Sequence, residues 1–143
     1  VYKTVVVGTD GSGTANKAAE TAANLAREWG SALHIVVAYS GGSRGMGEAS
    51  GAALVDSGGA IQREAANEVA AKASSTWAEG LDVTVHAVGG HAADAIVDTA
   101  DSVSADLIVV GSKGMQGARR FLGSVPNSVA HTANCAVLIV KTG

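Results

Sequence analysis

Between positions 111 and 124 the chain gathers Gly111, Lys113, Gly114, Gly117, Arg119, Arg120, Gly123 and Ser124. Glycines let the backbone turn sharply and approach a bulky group closely. Gly123-Ser124 reads as a helix entry, with Ser124 as N-cap and Pro126 tolerated in the first turn. A helix start offers unbonded backbone N–H groups to an anion. The third helical position holds Asn127 rather than the Glu or Gln of a capping box, so no internal anion claims that end. All 13 acidic residues lie at or before Asp106, whereas positions 107–143 carry only Lys113, Arg119, Arg120 and Lys141. A local positive field is therefore laid over the same glycines, although the net charge is −3. The chemistry predicted for this stretch is the holding of nucleotide phosphates.

A second glycine-rich turn, Gly8-Thr9-Asp10-Gly11-Ser12-Gly13, follows the first apolar run. It has the glycine spacing of a P-loop, but Thr14-Ala15 stand where Lys and Ser or Thr are required. It also falls short of the dinucleotide fingerprint, because Asn16 replaces the third glycine. Neither motif is assigned.

The elements that position these two loops are legible from periodicity. Thr4–Val7, Leu33–Tyr39, Val83–Val88, Leu107–Val110 and Ala136–Val140 are short β-branched or aliphatic runs that read as strands, Leu107–Val110 as one buried on both faces and Ala136–Val140 as a sheet edge that something should cover. Thr14–Trp29 shows a small-residue face of Ala18, Ala19, Ala22, Ala23 and Ala26, with Gly30 as its terminator. Ile61–Ala78 is a helix with Ile61, Ala65, Val69, Ala73 and Trp77 as its expected inward stripe. Ala92–Ser104 turns Ile96, Ala100 and Val103 inward, and a last helix spans about Val125–Ala133. Seven of the twenty residues 40–59 are glycine, so this segment reads as a flexible loop, with a helical turn at most near Ala52–Val55. The β-α-β-α-β-α-β-α-β order predicts an α/β fold: a single domain, residues 1–143, with an open five-stranded, mostly parallel, Rossmann-like sheet of strand order 3-2-1-4-5 and helices on both faces. If the first and fourth strands lie side by side, as in that order, their two glycine-rich loops open onto one crevice, where open α/β sheets bind ligands.

Gly111-x-x-Gly114, a spacer and Gly123-Ser124-Val125 resemble the ATP-binding signature of the universal stress protein family. So do Thr9-Asp10-Gly11-Ser12 after the first strand, Ala105-Asp106 leading into the fourth, and the closing run from Cys135 to Val140. The resemblance covers the whole chain. It implies that Asp10 reaches the nucleoside, that Gly8 and Thr9 line the same pocket, and that Val37 touches the adenine ring through backbone and side chain. It implies further that Val110, Gly111 and Gly114 frame the phosphates, with Lys113 between them or projecting outward. Gly123, Ser124 and Val125 would supply a hydroxyl and backbone N–H groups to phosphate oxygens, and Arg119 or Arg120 would contact the β- or γ-phosphate. A turn aspartate remains the alternative for Asp10, a plain N-cap for Ser124, and a solvated basic face for at least one arginine. The spacer Met115–Leu122 is eight residues, one fewer than usual in the family. A deletion inside a helix rotates the following side chains by about 100°, and Gly117 is where the chain would absorb it. The resemblance also implies a homodimer paired through the strand at 136–140.

Other classes are disfavoured. The negative net charge argues against a nucleic-acid binder. No apolar run has membrane-spanning length and no secretory leader is visible. Cys135 is the lone cysteine, so no intrachain disulfide forms and a cytoplasmic setting fits. His34, His86, His91 and His131 show no ligand spacing, so no protein metal site is expected, only Mg²⁺ carried by phosphates. No nucleophile–base pair is evident. The resemblance thus implies a stress-response protein that binds ATP as a dimeric sensor. AMP or cyclic AMP binding, slow ATP hydrolysis or phosphotransfer, and a dimeric scaffold without nucleotide remain its alternatives.

Overall fold

The computed structural model describes residues 2–9, 13–39, 52–77, 79–112 and 125–141. Its strands are β1 (Thr4–Gly8), β2 (Ala32–Tyr39), β3 (Asp82–Gly89), β4 (Leu107–Gly111) and β5 (Ala136–Val140). Its helices are α1 (Gly13–Trp29), α2 (Ala52–Trp77), α3 (Ala92–Ser102) and α4 (Val125–Thr132). The sheet runs β3-β2-β1-β4-β5, and every neighbouring pair is parallel. The expected architecture and strand order are those observed.

Alternation along β1 explains the layers. Val5 and Val7 turn to one face, with Leu33, Ile35, Leu107 and Val109, and meet Ala18, Ala22, Ala23 and Ala26 of α1. Val6 turns to the other face, with Val36, Ile108 and Val110, and meets Ala95, Ile96 and Ala100 of α3 and Val129 of α4. Side chains of period two on a strand require apolar cover on both sides. Alanine on α1 lets that helix approach closely. Burial of each valine contributes about 1.5–3 kcal/mol. Gly30 ends α1 at φ +68°, a left-handed conformation suited to glycine.

Helix α2 departs from expectation twice. It begins at Ala52, not Ile61, so residues 52–59 are helical rather than loop; residues 40–51 lie outside the described residues. Gly58 and Gly59 each weaken a helix by about 1 kcal/mol relative to Ala. Extending an existing helix needs no new nucleus, so 26 residues carry them. The inward face is also displaced: Ile61 is 69% exposed and Ala65 is exposed, while Ala66 and Ala70 are buried against Val37. A stripe taken every fourth residue drifts about 40° around the helix per step. It therefore leaves the sheet-facing side.

The N-terminal ends of the strands are tied together. Asp106 Oδ2 accepts from the backbone N–H groups of Lys3 and Thr4 at 2.8 and 3.1 Å. The Asp106 N–H donates to the Thr4 carbonyl at 2.9 Å, and the Ala32 N–H to the Lys3 carbonyl at 2.9 Å. The Ser31 hydroxyl donates to the Tyr2 carbonyl.

Candidate functional site

The opposite, C-terminal end of the sheet is where the sequence places its chemistry. β1 and β4 are adjacent, paired Val5↔Leu107, Val6↔Ile108 and Val7↔Val109. The chain leaves both strands at this same end. Because β5 is parallel to β4, α4 must run back along the sheet, which brings its first residue, Val125, to the crevice end. Pro126 and Val129 of α4 are buried, and Val125 packs into the α3/α4 layer.

The described site residues fall into two groups. Gly8, Thr9 and Gly111 stand at the strand ends. The Thr9 N–H donates to the Val36 carbonyl at 3.0 Å, the last rung between β1 and β2, and Thr9 is 7% exposed. The Ser112 N–H donates to the Val140 carbonyl at 2.8 Å, which fixes the exit of β4 just after Gly111. Gly8 also has a packing reason: a Cβ there would stand 2.5 Å from Ile96 Cδ1. Val37 and Val110 form the second group. Both are core residues, 4% and 2% exposed, Val37 against Ala66 and Ala70 of α2 and Val110 in the α3/α4 layer. Asp10, Lys113, Gly114, Arg119, Arg120, Gly123 and Ser124, with the spacer Met115–Leu122, lie outside the described residues.

Register adds a residue that periodicity did not single out. Peptide groups along a parallel strand point alternately to its two neighbours. The Val36 carbonyl faces β1, so the peptide groups of Val37 and Tyr39 face β3. The Gly90 N–H donating to the Tyr39 carbonyl at 2.8 Å agrees with this. Ala38 then faces β1 again, one step beyond the last rung. Its N–H and C=O have the donor–acceptor pattern suited to the edge of a planar heterocycle.

Among the described residues no group of three or more His, Cys, Asp or Glu side chains is placed to hold a metal. Burial, followed by the charges of Asp101 and Asp106, pushes the Cys135 thiol up, so it stays protonated at neutral pH. Among the described residues no helix is long and apolar enough to cross a membrane.

A model of the universal stress protein family matches residues 1–141. The chain belongs to the universal stress protein family. A universal stress protein of Mycobacterium tuberculosis is 35% identical over 99% of this chain and 97% of its own. A universal stress protein solved in complex with cAMP is 35% identical, with a TM-score of 0.79 over 99% of both chains. One from Archaeoglobus fulgidus, solved in complex with dAMP, is 29% identical, with a TM-score of 0.69 over 99% of both chains. Within this family, then, the present chain has relatives solved with adenine nucleotides.

Proposed function

We propose that this universal stress protein binds an adenine nucleotide, with ATP as the reading of its glycine signature, and acts as a dimeric sensor in a cytoplasmic stress response. The observation that carries the reading is the juxtaposition of the β1 and β4 ends at the centre of the sheet. Each leads into a glycine-rich loop, and strand-order reversals of this kind form ligand crevices. The whole chain, residues 1–143, acts as one such domain.

In this reading Asp10 accepts from a ribose hydroxyl, and Gly8 and Thr9 form the floor beside it. Adenine lies at the end of β2, above Val37, with its edge toward the Ala38 peptide. The strand end at Val110-Gly111, with Lys113 and Gly114, borders the phosphates. Gly123, Ser124 and Val125 present the start of α4 to them, with Arg120 on the terminal phosphate. Gly111 leaves room for a phosphate that a side chain would fill, and the start of α4 supplies N–H donors to anions. These donors fit a phosphate chain. The phosphates would hold Mg²⁺ with no protein ligand set. A nucleotide that binds one conformation of the protein better than another shifts the population toward it, and that shift is the sensing event. Hydrolysis is at most slow, because Asp10 is the single base candidate and is assigned to the nucleoside end.

A second reading, preference for AMP or cyclic AMP, is favoured by the relatives solved with cAMP and dAMP. The dimer is assigned to β5. This edge strand exposes Leu138 and Ile139 at 37% and 36%, and an uncovered apolar edge invites a second strand. Mass spectrometry of small molecules released on denaturing the purified protein, followed by calorimetric titration with ATP, AMP and cyclic AMP, tests the reading. Saturable binding of an adenine nucleotide is expected. Absence of binding to all three overturns it.

A further inference from the structure

Outside the crevice, two imidazoles meet across the sheet. His34 Nδ1 on β2 and His86 Nε2 on β3 are 3.0 Å apart, with ring centroids 5.2 Å apart and planes inclined by 30°. The centroid separation exceeds the N···N distance by roughly two ring radii, so the nitrogens face one another head-on, as in an N–H···N hydrogen bond. A chelated metal would need lone pairs that converge on a third point, which this geometry does not offer. The register His34↔Thr84 and Val36↔His86 makes them a diagonal pair on the α3 side of the sheet. Both rings are half-buried.

The surroundings are sparsely charged. β3 contributes Asp82, on the same face as His86, with the exposed hydroxyl of Thr84 between them. β1 contributes Val6 beside His34, and α3 turns the apolar Ile96 and Ala100 toward this face. The carboxylates of α3, Asp94, Asp98 and Asp101, are all exposed, and Asp101 accepts from Asn134 Nδ2 at 3.1 Å.

A neutral pair is held by one ring donating to the other. Adding one proton from solvent leaves a donor facing a lone pair, so the bond survives. A second proton makes both facing nitrogens donors, removes the bond and sets two positive charges against each other. We propose that the His34–His86 pair is an acid-sensitive clasp that fastens edge strand β3 to β2 and opens when the second imidazole takes a proton. Among the described residues β3 has a single strand neighbour, so its release breaks no other strand pairing there. Burial lowers the pKa of both rings; for His34 the neighbouring His86 lowers it further and Asp82 partly opposes this. The sign follows. Below the ordinary imidazole value of about 6.5 the unfolded chain binds more protons than the folded one. The folding equilibrium constant therefore falls on acidification, by up to about tenfold per pH unit for each proton excluded. Above that range it is flat.

The test uses the full chain and no nucleotide, so its outcome is independent of the crevice assignment. Imidazole resonances and the hydrogen-exchange protection of the Thr84 and Val88 amides, which the register turns toward β2, corrected for intrinsic exchange, are followed from about pH 8 to about pH 5. The expected result is two coupled titration steps, with β3 protection falling by about tenfold through the second. His86→Gln keeps a polar partner that no proton charges, so His34 should then titrate in one step and β3 protection should lose the roughly tenfold fall tied to the second proton. If that variant does not fold, His34→Gln serves the same purpose. Independent single-step titration of both rings near their ordinary value, or the same acid loss of protection in the Gln variant, overturns the proposal.

Discussion

At their N-terminal ends β1 and β4 are locked to each other: one carboxylate, Asp106, takes two backbone N–H groups of the opposite strand and returns its own N–H to Thr4. At their C-terminal ends the same two strands run out at Gly8 and Gly111, and Ala38 on the neighbouring strand projects a peptide past the last rung of β1. One end satisfies its backbone internally, by long-range hydrogen bonds. The other leads into the two glycine-rich segments proposed to hold the nucleotide. On the proposed reading, stability and recognition fall to opposite ends of the same pair of strands, with the buried valines between them common to both.

Substitutions at successive heights along the strands can break or sharpen that contrast. Ile108, fully buried midway, belongs to both ends. Ile108→Ala should lower unfolding free energy by about 2–5 kcal/mol in denaturant titration, and weaken nucleotide binding only in proportion to the folded fraction lost. Asp106→Ala leaves two N–H groups without their acceptor. It should lower stability by about 1–3 kcal/mol while the affinity of the folded protein for nucleotide stays unchanged; a large affinity loss would erase the division between the ends. Ser124→Ala separates the two roles of that residue. As an N-cap alone it would lower stability by about 1 kcal/mol with affinity intact, whereas a phosphate donor predicts an affinity loss of about tenfold as well.

The contrast also marks what the sequence reveals. The alternation of strands and helices followed from five apolar runs separated by helical patterns, because each element carries its own period; the 3-2-1-4-5 order is not dictated by those runs, and the pairing of β1 with β4 bears it out. Both loops were visible as glycine clusters. What stayed hidden depends on partners distant in sequence. Asp106 reads as a strand lead-in until the amides of Lys3 and Thr4 are placed on its carboxylate. Val37 and Ala38 are indistinguishable as apolar strand residues until the Thr9–Val36 hydrogen bond sets which peptide faces β1. His34 and His86 meet only once the β2–β3 register is known. On α2 the misreading was local: Gly58-Gly59 has the composition of a loop, yet it lies within a long helix whose inward face is set by Ala66 and Ala70 rather than by Ile61 and Ala65.

The claim that the C-terminal end of β1 and β4 is a nucleotide site is tested most directly at Gly114. Nucleotide titrations of the natural protein and of Gly114→Val, run beside thermal unfolding of both, give affinity and stability together. The predicted result is saturable binding by the natural protein and affinity lower by about tenfold or more in the variant, because a branched side chain fills space needed for close backbone approach, with unfolding midpoints that coincide. Equal affinities in the two proteins would contradict the account.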